Sequence, residues 1–480
     1  MEMKRMKYIL SALLLTFAGG ILISCENKKS GNEKAQAESV EVWLTTPDKK
    51  NLFSQAPGLE FVEKQLDLPA IVIDRTERFQ TVDGFGYTLT GGSAWLMHQM
   101  LSAENRAALI RELFSTDSTG IGVSYLRISV GASDLDARVF SYNDMPDGKT
   151  DPELKQFSIA PDETHLIPVL QEILAVDPSI KIMGSPWSAP AWMKTNNSPK
   201  GGSLKPQYYG AYAQYLVKYI EAMANAGITI DAITIQNEPE NPKNNPSMVM
   251  TAEEQADFVK NHLGPAFQKS AIKTKIVVFD HNCDNPDYPI AILNDPEAKK
   301  WVDGSAFHLY LGEIEAMSKV HEAHPDKNLY FTEQWTSPEG SFNGDLKWHT
   351  KNLTIGAMRN WSRTVLEWNL AADPEFQPHT DDGGCTQCLG ALTIDGNNIT
   401  RNVSYYIIAH ASKFVRPGAV RIASSILPGI PNVAFETPDE RIVLIALNDS
   451  EDTKEFLLDD GSKIAHAVLE PGAVATYVWK

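Results

Sequence analysis

The chain has 480 residues, of which 43% are hydrophobic and 22% charged, an ordinary globular composition that excludes wholesale disorder. That length accommodates one barrel of about 250 residues together with a smaller companion domain. The formal net charge is −18, and because so acidic a surface repels phosphate backbones and acidic polymers, we expect a neutral substrate and no nucleic-acid partner.

The N-terminus has the pattern of an export signal. Lys4, Arg5 and Lys7 form a basic start, followed by an apolar run over residues 8–23. The run is shorter than the ~20 residues that a membrane-spanning helix needs. It leads into Leu-Ile-Ser-Cys, the pattern that precedes a lipidated cysteine, which here would be Cys25.

We therefore expect residues 1–25 to be a lipoprotein signal and residues 26–39 to be a flexible tether. An ordinary secretory peptide with an incidental cysteine is the alternative. The prediction is an exported, lipid-anchored protein of the Gram-negative outer membrane, on its cell-surface or periplasmic side. The lipid anchor at Cys25 would be its only membrane contact.

Residues 79–416 alternate short β-rich runs with longer helical patterns, and eight such units favour a closed parallel barrel. The predicted strands are Thr81–Tyr87, Tyr125–Val130, Lys181–Trp187, Ala232–Glu238, Lys275–His281, Ser305–Tyr310, Asn328–Trp335 and Thr364–Leu370. The predicted helices are Ala103–Phe114, His165–Val176, Tyr208–Ala226, Glu253–Phe267 and Leu346–Trp361. Ser102 and Thr251 are expected to cap two of them.

Residues 417–480, after a helical run at Val403–Phe414, predict an antiparallel β-sandwich. Its strand candidates are Val420–Ala423, Val433–Thr437, Ile442–Leu447, Glu455–Leu458 and Ala473–Trp479. Residues 40–78 contain the strand candidates Val40–Leu44 and Ala70–Ile73 and no helix between them. The predicted fold is therefore α/β: a (β/α)8 TIM barrel with a side antiparallel β-sandwich that both ends of the chain form.

Two predicted barrel strands, the fourth and the seventh, end in the glutamates Glu238 and Glu333. An unpaired buried carboxylate is costly, and barrel enzymes assemble their sites at these strand ends. Strands four and seven face each other across the barrel mouth, so the carboxyls can lie ~5–5.5 Å apart, the spacing for glycoside hydrolysis with retention. A pair of glutamates held in surface salt bridges is the alternative.

Aromatic and polar side chains occur at the other strand ends. Trp187, Trp335 and Trp368 can stack on the CH faces of sugars, and three such positions beside paired carboxylates favour a carbohydrate site over packing. Asp134 can accept hydrogen bonds from sugar hydroxyls, and Arg127 can hold a catalytic carboxylate ionised; a structural ion pair is the alternative for each.

His308 and Tyr310 end strand six and are expected neighbours of Glu333, although either alone is more typical of a satisfied rim residue. Cys385 and Cys388 form a Cys-x-x-Cys pattern in a glycine-rich loop outside a reducing cytosol, which favours a loop disulfide over two free thiols. A zinc site with His379 is disfavoured because no second Cys-x-x-Cys completes a tetrahedral set. We expect no metal and no cofactor.

From about Val72 to the end, the chain resembles glycoside hydrolase family 30, the family of glucosylceramidase. The motifs that carry the resemblance, in the family's order, are Ser185–Thr195, Asn237-Glu238-Pro239, Phe307–Tyr310, Thr332-Glu333 and Trp368-Asn369-Leu370. The resemblance implies that Glu238 is the acid/base, Glu333 the nucleophile and Asn237 a ligand of the sugar 2-hydroxyl. It also implies that Asp134, Trp187 and Trp368 line the subsite of the non-reducing glucose.

The loop after strand eight, Pro378–Cys385, resembles the bacterial and fungal endo-β-1,6-glucanase branch of that family. A retaining endo-β-1,6-glucanase is therefore the leading expectation. A β-glucosidase or glucosylceramidase is the alternative within enzymes, and a β-xylosidase or xylanase of the same family stays open. A lipid-anchored glycan-binding protein would keep the tryptophans without needing both carboxylates. The oligomeric state is not predicted.

Overall fold

The computed structural model of the chain describes residues 39–62 and 66–480. Cys25 and the predicted tether up to residue 38 lie outside the described residues. Ser39, predicted to end the tether, is the first residue of a strand. Three strands precede the barrel: β1 (Ser39–Thr45), β2 (Ser54–Val62) and β3 (Ala70–Thr81). No helix of the described residues is long and apolar enough to cross a bilayer.

Eight parallel strands close into a barrel, which confirms the predicted TIM barrel. They are β4 (Gly84–Thr88), β5 (Tyr125–Ser129), β6 (Lys181–Ser185), β7 (Ala232–Thr234), β8 (Lys275–Cys283), β9 (Val302–Gly312), β10 (Asn328–Glu333) and β11 (Ser362–Glu367). Pairing of β11 with β4 completes the ring. A layer of buried side chains from seven successive strands, from Tyr125 to Leu366, fills the interior, so the barrel is a packed core rather than a pore.

The helices are α1 (Gly91–Trp95), α2 (Ala103–Phe114), α3 (Ala160–Glu163), α4 (Leu166–Val176), α5 (Tyr209–Asn225), α6 (Ala252–Phe258), α7 (Gly264–Lys269), α8 (Asp287–Asn294), α9 (Pro296–Lys299), α10 (Ala316–Ala323), α11 (Phe342–His349) and α12 (Val403–Ser412). Both predicted caps are formed, since Ser102 accepts from the backbone of Asn105 and Thr251 forms a capping box. The predicted single helix Glu253–Phe267 is instead divided between α6 and α7 by a π-turn. Pro265 explains the division because it has no N–H to donate to the preceding turn.

The remaining strands are β12 (Ala371–Ala372), β13 (Leu392–Asp395), β14 (Asn398–Arg401), β15 (Val420–Ser424), β16 (Asn432–Glu436), β17 (Ile442–Leu447), β18 (Lys454–Asp459), β19 (Ile464–Leu469) and β20 (Val474–Trp479). The last six join β1, β2 and β3 in one β-domain, ordered β1-β2-β19-β18-β3-β15-β16-β17-β20, which confirms that both ends of the chain build it. The sequence prediction omitted β2 and β19. β2 contains Pro57 and Gly58, and the centre of β19 is Ala465-His466-Ala467, residues of modest strand propensity; pairing with neighbours holds both strands in place.

A buried histidine joins the β-domain to the barrel. His410, on α12, contacts Thr45 of β1 at 2.8 Å through Nε2 and Thr476 of β20 at 2.9 Å through Nδ1. Burial lowers the pKa of His410 to about 3. The imidazole is therefore neutral at physiological pH and acts as a polar link inside an apolar interface.

Candidate active site

Glu238 and Glu333 lie together at the C-terminal mouth of the barrel. Glu333 is the last residue of β10, which ends two residues before the predicted strand end at Trp335. The fourth strand is shorter than predicted and ends at Thr234, so Glu238 lies four residues beyond it, in a turn. The backbone of Glu238 has φ of 47°, and its N–H donates to the carbonyl of Asp280 at 3.0 Å. A left-handed conformation at a non-glycine residue is uncommon and occurs often at functional sites.

Both carboxyls are buried, with only 7% of Glu238 and 5% of Glu333 exposed. An oxygen of each, together with a ring nitrogen of His308, forms a group whose atoms all lie within 4.8 Å of one another. Two carboxylates at this separation cannot ionise independently, so they titrate as one coupled set.

A fully buried aspartate, Asp280, organises the floor of the site. Its two oxygens accept five hydrogen bonds, from Arg127 Nη2 (2.9 Å), Ser185 Oγ (2.7 Å), Thr234 Oγ1 (2.8 Å), Thr332 Oγ1 (2.7 Å) and His308 Nε2 (3.0 Å). Burial alone would raise the pKa of Asp280, but the Arg127 charge and the His308 hydrogen bond hold it far below its ordinary value. Asp280 is therefore a permanent negative charge beneath the two glutamates.

Arg127 connects this floor to Glu333 and Asn237. Its Nη1 donates to Glu333 Oε2 at 2.6 Å, and its Nη2 donates to Asn237 Oδ1 at 2.6 Å. The guanidinium also lies over the Trp187 ring, 4.8 Å from its centroid. Arg127 thus fixes both a carboxylate and a polar side chain of the site, with the planar geometry that arginine provides.

His308 lies between the two glutamates. Its Nδ1 is 3.4 Å from Glu238 Oε1 and 3.8 Å from Glu333 Oε1. Burial opposes its charge, but Glu333, Asp280 and Glu238 outweigh burial and raise the pKa of His308 to about 9. The ring is therefore a cation at neutral pH.

The pKa values of the two glutamates are displaced in opposite directions. Burial alone raises the pKa of Glu238, but the hydrogen bond and charge of His308 outweigh it, so the pKa is lowered. Burial also raises the pKa of Glu333, and the charges of His308 and Arg127 offset only part of that increase. Tyr310 adds a further donor to Glu333, since its hydroxyl donates to Oε1 at 3.0 Å.

A cavity of about 190 Å³ opens above the carboxyls. Its lining combines acids, an amide, aromatic rings and a disulfide: Asp134, Trp187, Glu238, Asn244, Tyr310, Glu333, Trp335, Trp368, Cys385 and Cys388. Burial and then the charges of Glu333 and Glu238 raise the pKa of Asp134 to about 8, so that side chain is largely protonated at pH 7 and can donate as well as accept.

Trp187 and Trp368 stack with ring centroids 5.5 Å apart and pack with the cysteines in one apolar cluster. The predicted loop disulfide is confirmed, because Cys385 and Cys388 are bonded to each other. The zinc alternative is wrong, since both sulfurs are in the disulfide and His379 contacts Gln377 and the carbonyl of Thr380 instead.

The sequence predicted ten site residues besides the lipidation candidate Cys25, and the structure brings all ten together. Sequence reasoning missed others in the same site: Asp280, Asn241, Asn244, Ser185, Thr234 and Thr332. Asp280 had the clearest signal, a carboxylate that directly follows the apolar run Ile276–Phe279 of the fifth barrel strand.

Glu238, His308 and Glu333 are the group of described residues whose donor atoms come close enough to share a cation. We do not assign them as metal ligands. The Arg127 guanidinium already neutralises Glu333 at 2.6 Å, and His308 is itself cationic, so a metal ion would lie beside two buried positive charges.

Comparisons with known proteins agree with this geometry. Residues 82–415 match the glycosyl hydrolase family 30 TIM-barrel domain, and residues 418–477 match the glycosyl hydrolase family 30 beta sandwich domain. The chain is 36% identical over 397 residues to an endo-1,6-beta-D-glucanase of Neurospora crassa, covering 78% of this chain and 81% of that protein.

The chain is also similar to the lysosomal acid glucosylceramidase of Mus musculus, with 28% identity over 439 residues, 85% of this chain and 83% of that protein. Among solved structures, the endo-beta1,6-glucanase BT3312 superposes with a TM-score of 0.86 at 35% identity. That superposition covers 92% of this chain and 99% of the other.

Proposed function

The chain belongs to glycosyl hydrolase family 30, and from that premise we propose that it is an endo-β-1,6-glucanase that works with retention of configuration. The observation that carries the catalytic part is the buried pair Glu238 and Glu333, with oxygens within 4.8 Å, at the floor of a tryptophan-lined cavity. This separation is close to the ~5–5.5 Å that is typical of retaining enzymes. It is shorter than the ~6.5–9.5 Å that inverting enzymes need to accommodate a water molecule between the carboxyls.

In the first step of the proposed reaction, a carboxylate oxygen of Glu333 attacks the anomeric carbon of the glucosyl residue. The bond from that carbon to the glycosidic oxygen breaks, and Glu238 gives its proton to the departing oxygen. In the second step water attacks the same carbon, Glu238 accepts a proton from it, and the bond to Glu333 breaks. Two inversions give net retention.

The charges around Glu333 support its role as nucleophile. Arg127 and Tyr310 both donate to its oxygens, which favours the ionised form. Burial keeps the pKa of Glu333 raised. Positive charge that develops on the anomeric carbon during the reaction lies beside Glu333 and stabilises its anion, which is the form that the proposed role requires.

Other lining residues are suited to holding a neutral sugar. Trp335 lines the cavity with a partly exposed ring and is the tryptophan suited to stacking on a sugar. Trp187 and Trp368 are only 1% and 3% exposed and pack against each other, so they form the wall of the cavity. The buried Nε1 of Trp187 has no acceptor among the residues that the structure describes, so a sugar hydroxyl would satisfy it. Asn237, held by Arg127 at 2.6 Å, is suited to the 2-hydroxyl beside the nucleophile. Asp134 can both donate to and accept from further hydroxyls.

The β-1,6 linkage is proposed from similarity. The relatives at 34–36% identity are endo-1,6-β-glucanases, whereas the glucosylceramidases match at lower identity, as the mouse enzyme does at 28%. The acidic surface, with its net charge of −18, agrees with a neutral glucan.

Product analysis on a panel of substrates tests the linkage. The panel contains β-1,6-, β-1,3- and β-1,4-glucans, xylan, an aryl β-glucoside and glucosylceramide. We expect short β-1,6-linked oligosaccharides to appear early from the β-1,6-glucan and the other polymers to stay intact. Release of single glucose units only, or faster cleavage of glucosylceramide, would contradict the endo-β-1,6 assignment. Neither result would affect the membership of the chain in family 30.

Two isosteric substitutions test the roles of the glutamates. Glu333→Gln is expected to abolish turnover on every substrate, because no glycosyl-enzyme can form. Glu238→Gln is expected to spare the first step for aryl glucosides with good leaving groups, which need little protonation, while slowing deglycosylation. Equal losses on good and poor leaving groups would contradict separate roles.

A further inference from the structure

The turn that follows Glu238 directs an amide at its carboxylate. The backbone N–H of Asn241 donates to the carbonyl of Glu238 at 2.9 Å. The side-chain Oδ1 of Asn241 accepts from the backbone N–H of Lys243 at 3.0 Å, and its Nδ2 donates to Glu238 Oε2 at 2.7 Å. Because the Lys243 N–H can only donate, Asn241 cannot be rotated to present its oxygen to Glu238.

A second amide donates to the same oxygen. Asn244 Nδ2 lies 3.3 Å from Glu238 Oε2, and Asn244 is part of the cavity lining. Glu238 Oε1 has a different neighbour, the His308 Nδ1 at 3.4 Å. The two oxygens of one carboxyl are therefore not equivalent: Oε2 is occupied by two amide donors, and Oε1 is on the side of His308 and Glu333.

The loop after β11 supports the segment that carries these amides. Asn245 donates through Nδ2 to the carbonyl of Asp381 at 2.8 Å, and the hydroxyl of Thr380 donates to the carbonyl of Asn245. Lys200 Nζ also donates to the carbonyl of Asp382 at 2.7 Å. The segment is thus held from outside the turn and is not free to follow a moving carboxylate.

We propose that Asn241 and Asn244 are positioning residues that hold Oε2 of Glu238 and so fix the catalytic proton on Oε1. The proposal rests on the proposed function, in which Glu238 is the acid/base. A proton on Oε2 would point at two N–H donors and lose both hydrogen bonds, whereas a proton on Oε1 keeps both and gives up only the longer contact with His308 Nδ1 at 3.4 Å. The same two donors stabilise the anion that forms once the proton has left.

Other charged and titratable groups face Glu238 from the elements packed around it. They are His308 and Tyr310 on β9, Glu333 on β10, His281 on β8, and Asp134 in the loop after β5. Substitution of an amide leaves these groups in place, so a change in the pKa of Glu238 can be assigned to the substituted side chain.

Asn241→Asp is the sharpest test, because the aspartate keeps the acceptor for the Lys243 N–H while it loses the donor and adds a like charge. We expect the alkaline limb of kcat/KM, measured on a β-1,6-glucan, to move up by about one to two pH units, the equivalent of a hydrogen bond to a charged group. Asn244→Ala, which removes only the 3.3 Å contact, should move the same limb by less.

Asn285→Asp is the matched control. Its Nδ2 donates at 3.0 Å to the exposed carboxylate of Glu240, so the substitution makes the same chemical change at a carboxylate other than Glu238. We expect its profile to superimpose on that of the unaltered protein. Glu238→Gln, assayed in parallel on good and poor leaving groups, reports whether Glu238 is the acid/base at all.

The proposal would be overturned if the alkaline limb of the kcat/KM profile were unmoved in both Asn241→Asp and Asn244→Ala, even if both variants were slower than the unaltered protein. If Glu238→Gln separates good from poor leaving groups while the limb is unmoved, only the positioning role fails. If Glu238→Gln is fully active on poor leaving groups, the proposed function fails with it. Unaltered melting temperatures of the two asparagine variants would exclude unfolding as the cause of a shift.

Discussion

Replacing Asp280 with asparagine removes the negative charge on which five donors of the active site converge. Whichever way the new amide is turned, its NH₂ group faces donors. It meets either Arg127, Ser185 and Thr234 at the position of Oδ2, or Thr332 and His308 at that of Oδ1. The buried Arg127 charge also loses one of its two carboxylate partners. The substitution changes almost no volume, so the effect is electrostatic.

Breaking a buried ion pair by neutralising one partner costs about 3–5 kcal/mol. With an unfolding entropy of about 2.1 cal/mol/K per residue over roughly 440 residues, that loss lowers Tm by about 3–5 °C. Activity should fall further than stability implies. His308 loses a carboxylate that holds its pKa near 9, and Arg127 is freed to shift relative to Glu333. A displacement of about 1 Å in such a group costs on the order of 10²-fold in rate.

The assay is kcat/KM on a β-1,6-glucan at 25 °C, where Asp280→Asn remains folded, together with a thermal unfolding curve. Glu112→Gln is the matched control, since Glu112 accepts a bidentate pair from Arg401 (2.6 and 2.5 Å) between α2 and β14, outside the site. We expect the control to lose stability and keep its rate. An Asp280→Asn protein that melts early but retains full kcat/KM would refute the organising role of this carboxylate.

Three further substitutions test other parts of the molecule. His410 has a pKa of about 3 in the folded protein and its ordinary value near 6.5 in the unfolded chain. The unfolded chain therefore binds more protons between those values, and stability that is present above pH 6.5 is lost as the pH falls. Between pH 7 and pH 5 the loss is about 2 kcal/mol, and His410→Gln should remove this part of the pH dependence in thermal unfolding curves. Cys385→Ser with Cys388→Ser opens the disulfide in the cavity wall; we expect a raised KM for glucan with little change in kcat, and an unchanged KM would contradict a substrate-facing role. The lipid anchor proposed at Cys25 predicts that Cys25→Ser yields, after export, a soluble and fully active enzyme, and fractionation that leaves it with the membranes would contradict the anchor.

The architecture was predictable because it depends on local patterns. Eight apolar strand patterns alternate with helical ones, two of which begin at a recognisable cap, and each of the two glutamates lies at or just beyond the end of such a strand. The chain after residue 416 changes to alternating runs with turn signals. These features are encoded within windows of a few residues, so the barrel, the β-domain and the two carboxylates could be identified without a structure.

What the sequence did not show depends on contacts between distant segments. Asp280 differs from any other strand-end aspartate only through its five donors, which come from β5, β6, β7, β9 and β10. Asn241 and Asn244 lie in a segment that residues 380 and 381 hold through Asn245. Strand β19 was missed for the same reason, since its alanines acquire a β conformation only by pairing with β18 and β2.

Trapping of the covalent glycosyl-enzyme tests the central claim most directly. A 2-deoxy-2-fluoro β-glucoside with a good leaving group should glycosylate the protein and accumulate, because the fluorine slows the second step more than the activated first step. The account predicts one added sugar per chain, on the peptide that contains Glu333, and none in Glu333→Gln. A label on another residue, or hydrolysis of the natural substrate with inversion and no label at all, would contradict it.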